Sequence, residues 1–279
     1  MTLASLDYFS ALVSQDDSIP LFEAALCIAQ DAEPELDLSM PQIQIDVLAE
    51  RLKRRLSDDA SDIQKLRLLN HFFYFELGFG GNINDYYHPD NSYIHRVIAT
   101  RRGIPISLAV VYMELAQQIG LDVKGISFPG HFLMKLSVQS GEIILDPFNG
   151  ASLSREELEQ RLEPYLFQHD AINSIPLGAY LQTAQPREIL VRMLRNLKSL
   201  FVENGDWHRL LEVQQRLHVL LPDDIIELRD RGLAYARLEC PQPALMDLEA
   251  YLSQRPYAPD SEEIRRTVSE MRIAIKKIN

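Results

Sequence analysis

The sequence predicts an α+β core followed by an all-α repeat module. Three observations carry this prediction: a long apolar helical pattern over residues 105–119, three short strand-like segments between 123 and 146, and a 34-residue periodicity beyond Pro186. They divide the chain into a helical N-terminal part of the core (1–80), the core itself (81–185) and the repeat module (186–279).

Residues 1–80 read as packing helices. Apolar residues recur at three- and four-residue steps after Pro41, which takes an N1-like position. The pattern returns over 63–77, with Ser61 or Asp62 as N-cap and Gly78 as the stop. Residues 80–92 are rich in Gly, Asn, Asp, Tyr and His and read as a loop. Asn91 or Ser92 can cap the next helix, which runs to Arg102, where Gly103 supplies a left-handed terminus and Arg101 and Arg102 face the negative end of the helix dipole. Pro105 opens a helix that is apolar over much of its circumference, as a helix in the middle of a domain must be. Gly120 ends it, and strands follow over 123–128, 131–138 and 142–146, with Gln139, Ser140 and Gly141 as a hairpin turn. Ser154 and Glu157 form a capping box for a further helix, and residues 164–186, with Pro164, Pro176 and Pro186, read as the segment that leaves the core.

Beyond Pro186, Leu194 pairs with Leu228, Phe201 with Tyr235, Leu210 with Ala244, Leu217 with Tyr251 and Pro222 with Pro256. That spacing is the one of tetratricopeptide helix pairs, which bury their apolar faces by stacking on the next pair. Gly232 and Ala244 occupy close-packing positions, and residues 262–278 form a polar-faced capping helix behind Ser261.

Composition excludes several classes of function. A formal charge of −12 opposes nonspecific attraction to nucleic acid or anionic membranes, and the run Lys53, Arg54, Arg55 reads as the solvated end of a helix. No uninterrupted apolar stretch of about 18 residues occurs, and the first residues carry no positive region followed by an apolar one, so the expectation is a soluble cytoplasmic protein. The two cysteines, Cys27 and Cys240, are too few for a disulfide framework or a thiolate metal site. His88, His95, Asp85 and Asp90 match no standard zinc spacing, and no glycine-rich phosphate loop is present, so no metal and no cofactor is expected. Asn82, Asn84 and Asn91 could donate to an oxyanion or, more commonly, bond turn backbone.

Four segments carry a family resemblance: Tyr86-Tyr87-His88-Pro89-Asp90-Asn91-Ser92-Tyr93, Arg101-Arg102-Gly103-Ile104-Pro105-Ile106-Ser107-Leu108, Phe128-Pro129-Gly130-His131-Phe132-Leu133 and Leu145-Asp146-Pro147-Phe148-Asn149-Gly150. Together they make the stretch 82–150 resemble the transglutaminase-like, papain-type core of SirB-type bacterial proteins, a family that joins this core to C-terminal tetratricopeptide repeats. With the repeats, the resemblance covers most of the chain and is weakest before about residue 60.

The resemblance implies a Cys-His-Asp plan: a thiol at a buried helix N-terminus, His131 as base and Asp146 as its orienting carboxylate. In the wider superfamily the Cys stands four positions before a small residue, which puts Pro105 at its place relative to Ala109. Proline has no nucleophile. Ser107 is the substitute at hand, but two residues along a helix turn a side chain by about 200°, so Ser107 points away from the face of Pro105. Its alternative role is a first-turn Ser that bonds backbone or a neighbouring loop. A hydrogen bond between His131 and Asp146 is expected whether the pair is catalytic or structural. Two functions follow: a noncatalytic protein-binding or regulatory platform joined to a peptide-binding repeat module, or an amide or ester hydrolase or acyl transferase that uses Ser107, His131 and Asp146. The expected partner is a protein or peptide.

Overall fold

The computed structural model describes residues 3–139, 141–166 and 176–278. In chain order the helices are α1 (Leu3–Leu12), α2 (Leu21–Ile28), α3 (Ser39–Lys53), α4 (Asp62–Asn70), α5 (Ile94–Thr100), α6 (Pro105–Gln118), α7 (Arg155–Leu166), α8 (Leu177–Tyr180), α9 (Pro186–Asn204), α10 (Trp207–Leu220), α11 (Ile225–Arg237), α12 (Pro241–Gln254) and α13 (Ser261–Ile278). The strands are β1 (Gly80–Gly81), β2 (Arg102–Gly103), β3 (Val123–Ile126), β4 (Leu133–Val138) and β5 (Gly141–Leu145). The fold is α+β, followed along the chain by a helical region, and among the described residues no helix is long and apolar enough to cross a membrane.

The chain forms two compact units, one of residues 19–29 and 35–193, the other of 1–18, 30–34 and 194–279. In the first, α6 is the central element and packs against α2, α3, α4, α5, β3 and β4. Its burial follows from its apolar circumference: eight consecutive residues, Pro105 to Tyr112, are buried. The one long polar group among them, the Tyr112 hydroxyl, donates to Asn70 Oδ1 at 2.6 Å, as a buried hydroxyl requires.

Strands β3, β4 and β5 form an antiparallel sheet in that order, with Val123 opposite Leu136 and Met134 opposite Leu145. Ile126, Phe128, Leu133 and Ile144 pack with Leu158 and Leu162 of α7 and Leu177 of α8. The Ser154 capping box that starts α7 is formed, with Glu157 accepting from the Ser154 N–H at 2.7 Å and Ser154 Oγ from the Glu157 N–H at 3.2 Å. Ser61 caps α4 in the same reciprocal way through Gln64. Of the expected 139–141 turn, Ser140 lies outside the described residues.

Four sequence expectations are corrected. Helix α4 ends at Asn70 and continues as a π-turn, His71–Glu76, with Leu77 N–H bonded to Phe72 O, before Gly78 stops it. Pro41 sits in the third position of α3 rather than the first. Helix α5 begins after Tyr93, and Arg101, not Gly103, takes the left-handed terminus at φ 61°. Gly103 is needed elsewhere: it pairs with Gly81 in the parallel β1–β2 bridge, where a Cβ would stand 2.7 Å from Ser107 Oγ. Finally, α7 runs through Pro164 to Leu166, and after residues 167–175, which lie outside the described set, the chain returns to the core. Thr183 bridges Ile126 and the Ala184 N–H donates to Gly125 O at 2.8 Å, which covers an edge strand that would otherwise expose its backbone.

In the second unit α10 to α13 pack as successive helices, and α1 packs against α10. A Cβ on Gly232 would lie 2.8 Å from Leu248, which is why α11 and α12 approach so closely there. Glu227, nearly buried, accepts from Arg195 Nε at 2.8 Å and Lys198 Nζ at 2.6 Å. Arg216 of α10 is fully buried. Its guanidinium binds both oxygens of Asp31 at 2.6 and 2.7 Å, donates to Ser5 Oγ at 3.0 Å and lies 4.8 Å over the Phe9 ring. A buried charge tolerates no loss of its partner, so Asp31→Ala is expected to cost about 3–5 kcal/mol in denaturant unfolding. The paired apolar replacement Asp31→Leu with Arg216→Met recovers most of that loss. Equal destabilisation by the single and paired changes would contradict the role assigned to the ion pair.

Candidate functional site

Asp146 follows β5 and is 3% exposed. A carboxylate so placed needs donors on both oxygens, and three segments supply them. His131 Nε2 lies 2.8 Å from Oδ1, the Phe148 N–H donates to the same oxygen at 2.9 Å, and Arg161 Nη1 reaches Oδ2 from α7 at 2.9 Å. Burial alone would raise the carboxyl's pKa; the His131 hydrogen bond and charge, the Phe148 N–H and Arg161 outweigh it and hold Asp146 below the usual carboxylate range. An ionised Asp146 accepts, so the imidazole carries its proton on Nε2 and presents Nδ1 as the basic nitrogen.

His131 does not open a strand as its sequence neighbourhood predicts; it closes the 128–131 turn two residues before β4. Its N–H bonds Phe128 O at 3.2 Å. Gly130 sits at φ 66° in this turn, and a Cβ there would stand 1.6 Å from the Tyr165 hydroxyl, so only glycine lets Tyr165 lie against the backbone beside the imidazole. Arg192 donates Nη1 to the same Phe128 carbonyl at 3.0 Å, with its guanidinium 5.7 Å over the Phe132 ring. Opposite, Tyr86 packs on Phe148 with ring centroids 6.4 Å apart, and the Tyr74 hydroxyl donates to Pro147 O at 3.1 Å.

The start of α6 is equally well tied, for another purpose. Ser107 is completely buried. Its hydroxyl lies 2.5 Å from Asn91 O and 3.0 Å from Ile104 O, and it accepts from the Ile104 N–H at 3.2 Å. Asn91 in turn donates to the carbonyls of Asp85 and Tyr86 at 2.6 and 3.1 Å and accepts from Asn82 Nδ2 at 3.0 Å. Asn82 and Asn91 therefore fasten the 82–91 loop to the helix instead of pointing at a reaction centre. His88 Nδ1 accepts from the Asp90 N–H at 3.2 Å and caps the turn Pro89–Asn91. Among the described residues no group of three His, Cys, Asp or Glu side chains is placed to hold a metal.

The structure thus brings His131 and Asp146 together and leaves Ser107 bonded to Asn91 and Ile104, with no described hydrogen bond to either of them. Pro105 stands buried in the first turn of α6. Cys27 is buried in α2, and Cys240 lies beside Leu238 in the other unit. Arg161, Tyr165 and Arg192 were not legible as site residues. Arg161 and Tyr165 do share a helical face with Leu158 and Leu162, and that spacing, set after the Ser154 capping box, was the available signal.

Comparison with known proteins agrees with this geometry. Residues 41–195 match the transglutaminase-like superfamily and residues 197–269 the tetratricopeptide repeat. A UPF0162 protein of Xylella fastidiosa strain Temecula1 is 38% identical over 90% of this chain and 89% of its own length. A UPF0162 protein of Vibrio cholerae is 30% identical over 91% of this chain and 93% of its own, and protein SirB1 of Salmonella typhimurium 28% over 94% and 96%. No solved structure matches the chain significantly. A transglutaminase-like core with its His-Asp pair in contact, tetratricopeptide repeats after it in the chain and this likeness over nearly full length place the chain in the transglutaminase-like superfamily, among the UPF0162 and SirB1 proteins.

Proposed function

We propose that the transglutaminase-like unit is a noncatalytic platform that binds a protein segment, and that the tetratricopeptide unit supplies a second, peptide-binding surface, in a cytoplasmic protein. One observation carries this reading. The imidazole of His131 is held by Asp146 as a base would be, while the start of α6, where the superfamily plan puts the nucleophile, holds Pro105, which has no acidic proton, and Ser107, whose hydroxyl is spent on Asn91 and Ile104. A base without a nucleophile performs no acyl transfer. What remains is a His-Asp pair held rigidly between the 128–131 turn and α7, and stacked helical repeats present the kind of concave surface that holds protein segments.

The competing reading is a hydrolase or acyl transferase of amide or ester bonds with Ser107 as nucleophile, His131 as general base and Asp146 as orienting group. The intact His-Asp contact favours it. Against it, Ser107 would have to release two backbone groups in a fully buried position before reaching any substrate. Fluorophosphonate labelling of the wild type, compared with His131→Ala, separates the two. The platform reading expects no His131-dependent labelling; labelling of Ser107 that disappears in His131→Ala would overturn it.

A retained pair with a structural role has a pH signature. Because the folded-state pKa of Asp146 is depressed, its contribution to stability is fully present above the unfolded value of about 3.9 and is lost as pH falls through the folded one. Asp146→Asn should therefore lower stability by about 1–3 kcal/mol near neutral pH. The gap between variant and wild type should be constant above about pH 5 and close below about pH 4. A gap that widens on acidification would contradict the assignment.

A further inference from the structure

Arg192 is a half-buried cation with no carboxylate partner among the described residues. Among the described residues only its Nη1 is engaged, by Phe128 O at 3.0 Å, and one face is covered by Phe132. The titratable groups that act on it in the core unit are the phenols of Tyr86 and Tyr165, which are neutral near pH 7. Burial pushes the guanidinium pKa down, and only those phenols oppose the shift, so the charge is desolvated without an ion pair to compensate it. The contrast with Arg161 is sharp. Arg161 is more exposed than Asp146 and nevertheless spends its charge on that carboxylate.

We propose that Arg192, flanked by Tyr86 and Tyr165 beside His131, is the anchor for a carboxylate of a bound peptide. This rests on the platform reading and names the chemistry of its ligand. The free edge of a guanidinium fits a planar carboxylate through two parallel hydrogen bonds, and phenol hydroxyls can add donors at its rim. A phosphate dianion fits less well, since the next cation is committed to Asp146, whose own charge lies close to Tyr86. The ligand is a peptide and not a small acid because the loop carrying Tyr86 also exposes Ile83 and Tyr87, an apolar rim for a neighbouring side chain. A net charge of −12 repels anions generally, so carboxylate binding reports a local site.

The test uses the full chain and three probes: N-acetyl-leucyl-tyrosyl-glycine with a free carboxylate, the same peptide as its amide, and N-acetyl-leucyl-glutamyl-tyrosine amide. Binding is read by NMR titration of the Arg192 Nε–H signal. At least one acid-bearing peptide should bind about tenfold or more tighter than the neutral amide, as charge-assisted bonds imply. The free acid winning assigns a chain terminus as ligand, and the glutamyl peptide winning assigns an acidic side chain. Arg192→Gln should reduce the preferred peptide to the level of the amide, and Arg192→Lys, which keeps the charge and loses the fork, should fall between. Thermal melts of both variants separate lost binding from a disturbed 128–131 turn. No preference for either acid, or no binding by any probe, overturns the proposal. Turnover of a probe, or His131-dependent fluorophosphonate labelling in the same sample, instead overturns the platform reading on which it rests.

Discussion

The buried carboxylate of Asp146 is the constraint on which the site depends. Out of water it must be met by donors, and they come from the turn before β4, from its own turn after β5 and from α7. Satisfying one charged group thus fixes the hairpin ends against the helix that covers the sheet. It also fixes the plane and tautomer of the His131 ring, as a serine or cysteine enzyme would need. The same contacts meet a structural requirement and a catalytic one, so the pair can outlast the loss of a nucleophile.

The N-terminus of α6 has been put to a different use. In a thiol enzyme its dipole would stabilise a thiolate. Here Pro105 starts the helix without an N–H to leave unpaired, and Ser107 holds the Asn91 carbonyl, through which Asn82 and the backbone at Asp85 and Tyr86 are gathered. The loop so fastened carries Tyr86 to the Asp146 turn, where the Gly81 N–H bonds Phe148 O at 2.9 Å. Ser107, Asn91 and Asn82 are thereby committed to holding this loop against α6. The repeat unit is organised on a related principle, with Arg216 and Asp31 buried together so that a helix and a loop from early in the chain join one distant from them in sequence.

Much of this was legible because it is local. Helix α6, the Ser61 and Ser154 caps, the hairpin and the 34-residue repeat each follow from periodicity or from a cap three residues away. The His131–Asp146 contact followed from two neighbouring antiparallel strands, although both residues stand just outside them. The exceptions depend on tertiary neighbours. Gly103 is the natural helix terminator by composition, yet Ser107 Oγ crowds it and the left-handed turn falls on Arg101, whose guanidinium rests 4.5 Å over Phe79. Arg161 and Arg192 reach the site along long side chains from α7 and α9; the helical spacing of Arg161 with Leu158 and Leu162 gives its face, and nothing beside Arg192 in sequence announces its target. Pro164 reads as an exit from the core, but α7 passes through it to Leu166.

The proposal's central claim is that the core keeps the His131–Asp146 half of a Cys-His-Asp plan, with Pro105 at the position of its thiol. Pro105→Cys, in a Cys240→Ser background, supplies the missing group, and the pH dependence of its alkylation by iodoacetamide measures what the imidazole does to it. The account predicts a thiol whose pKa lies well below the ordinary value of about 8.5, and a return to that value when His131→Ala is added. A thiol that titrates as an ordinary cysteine with or without His131 would contradict it.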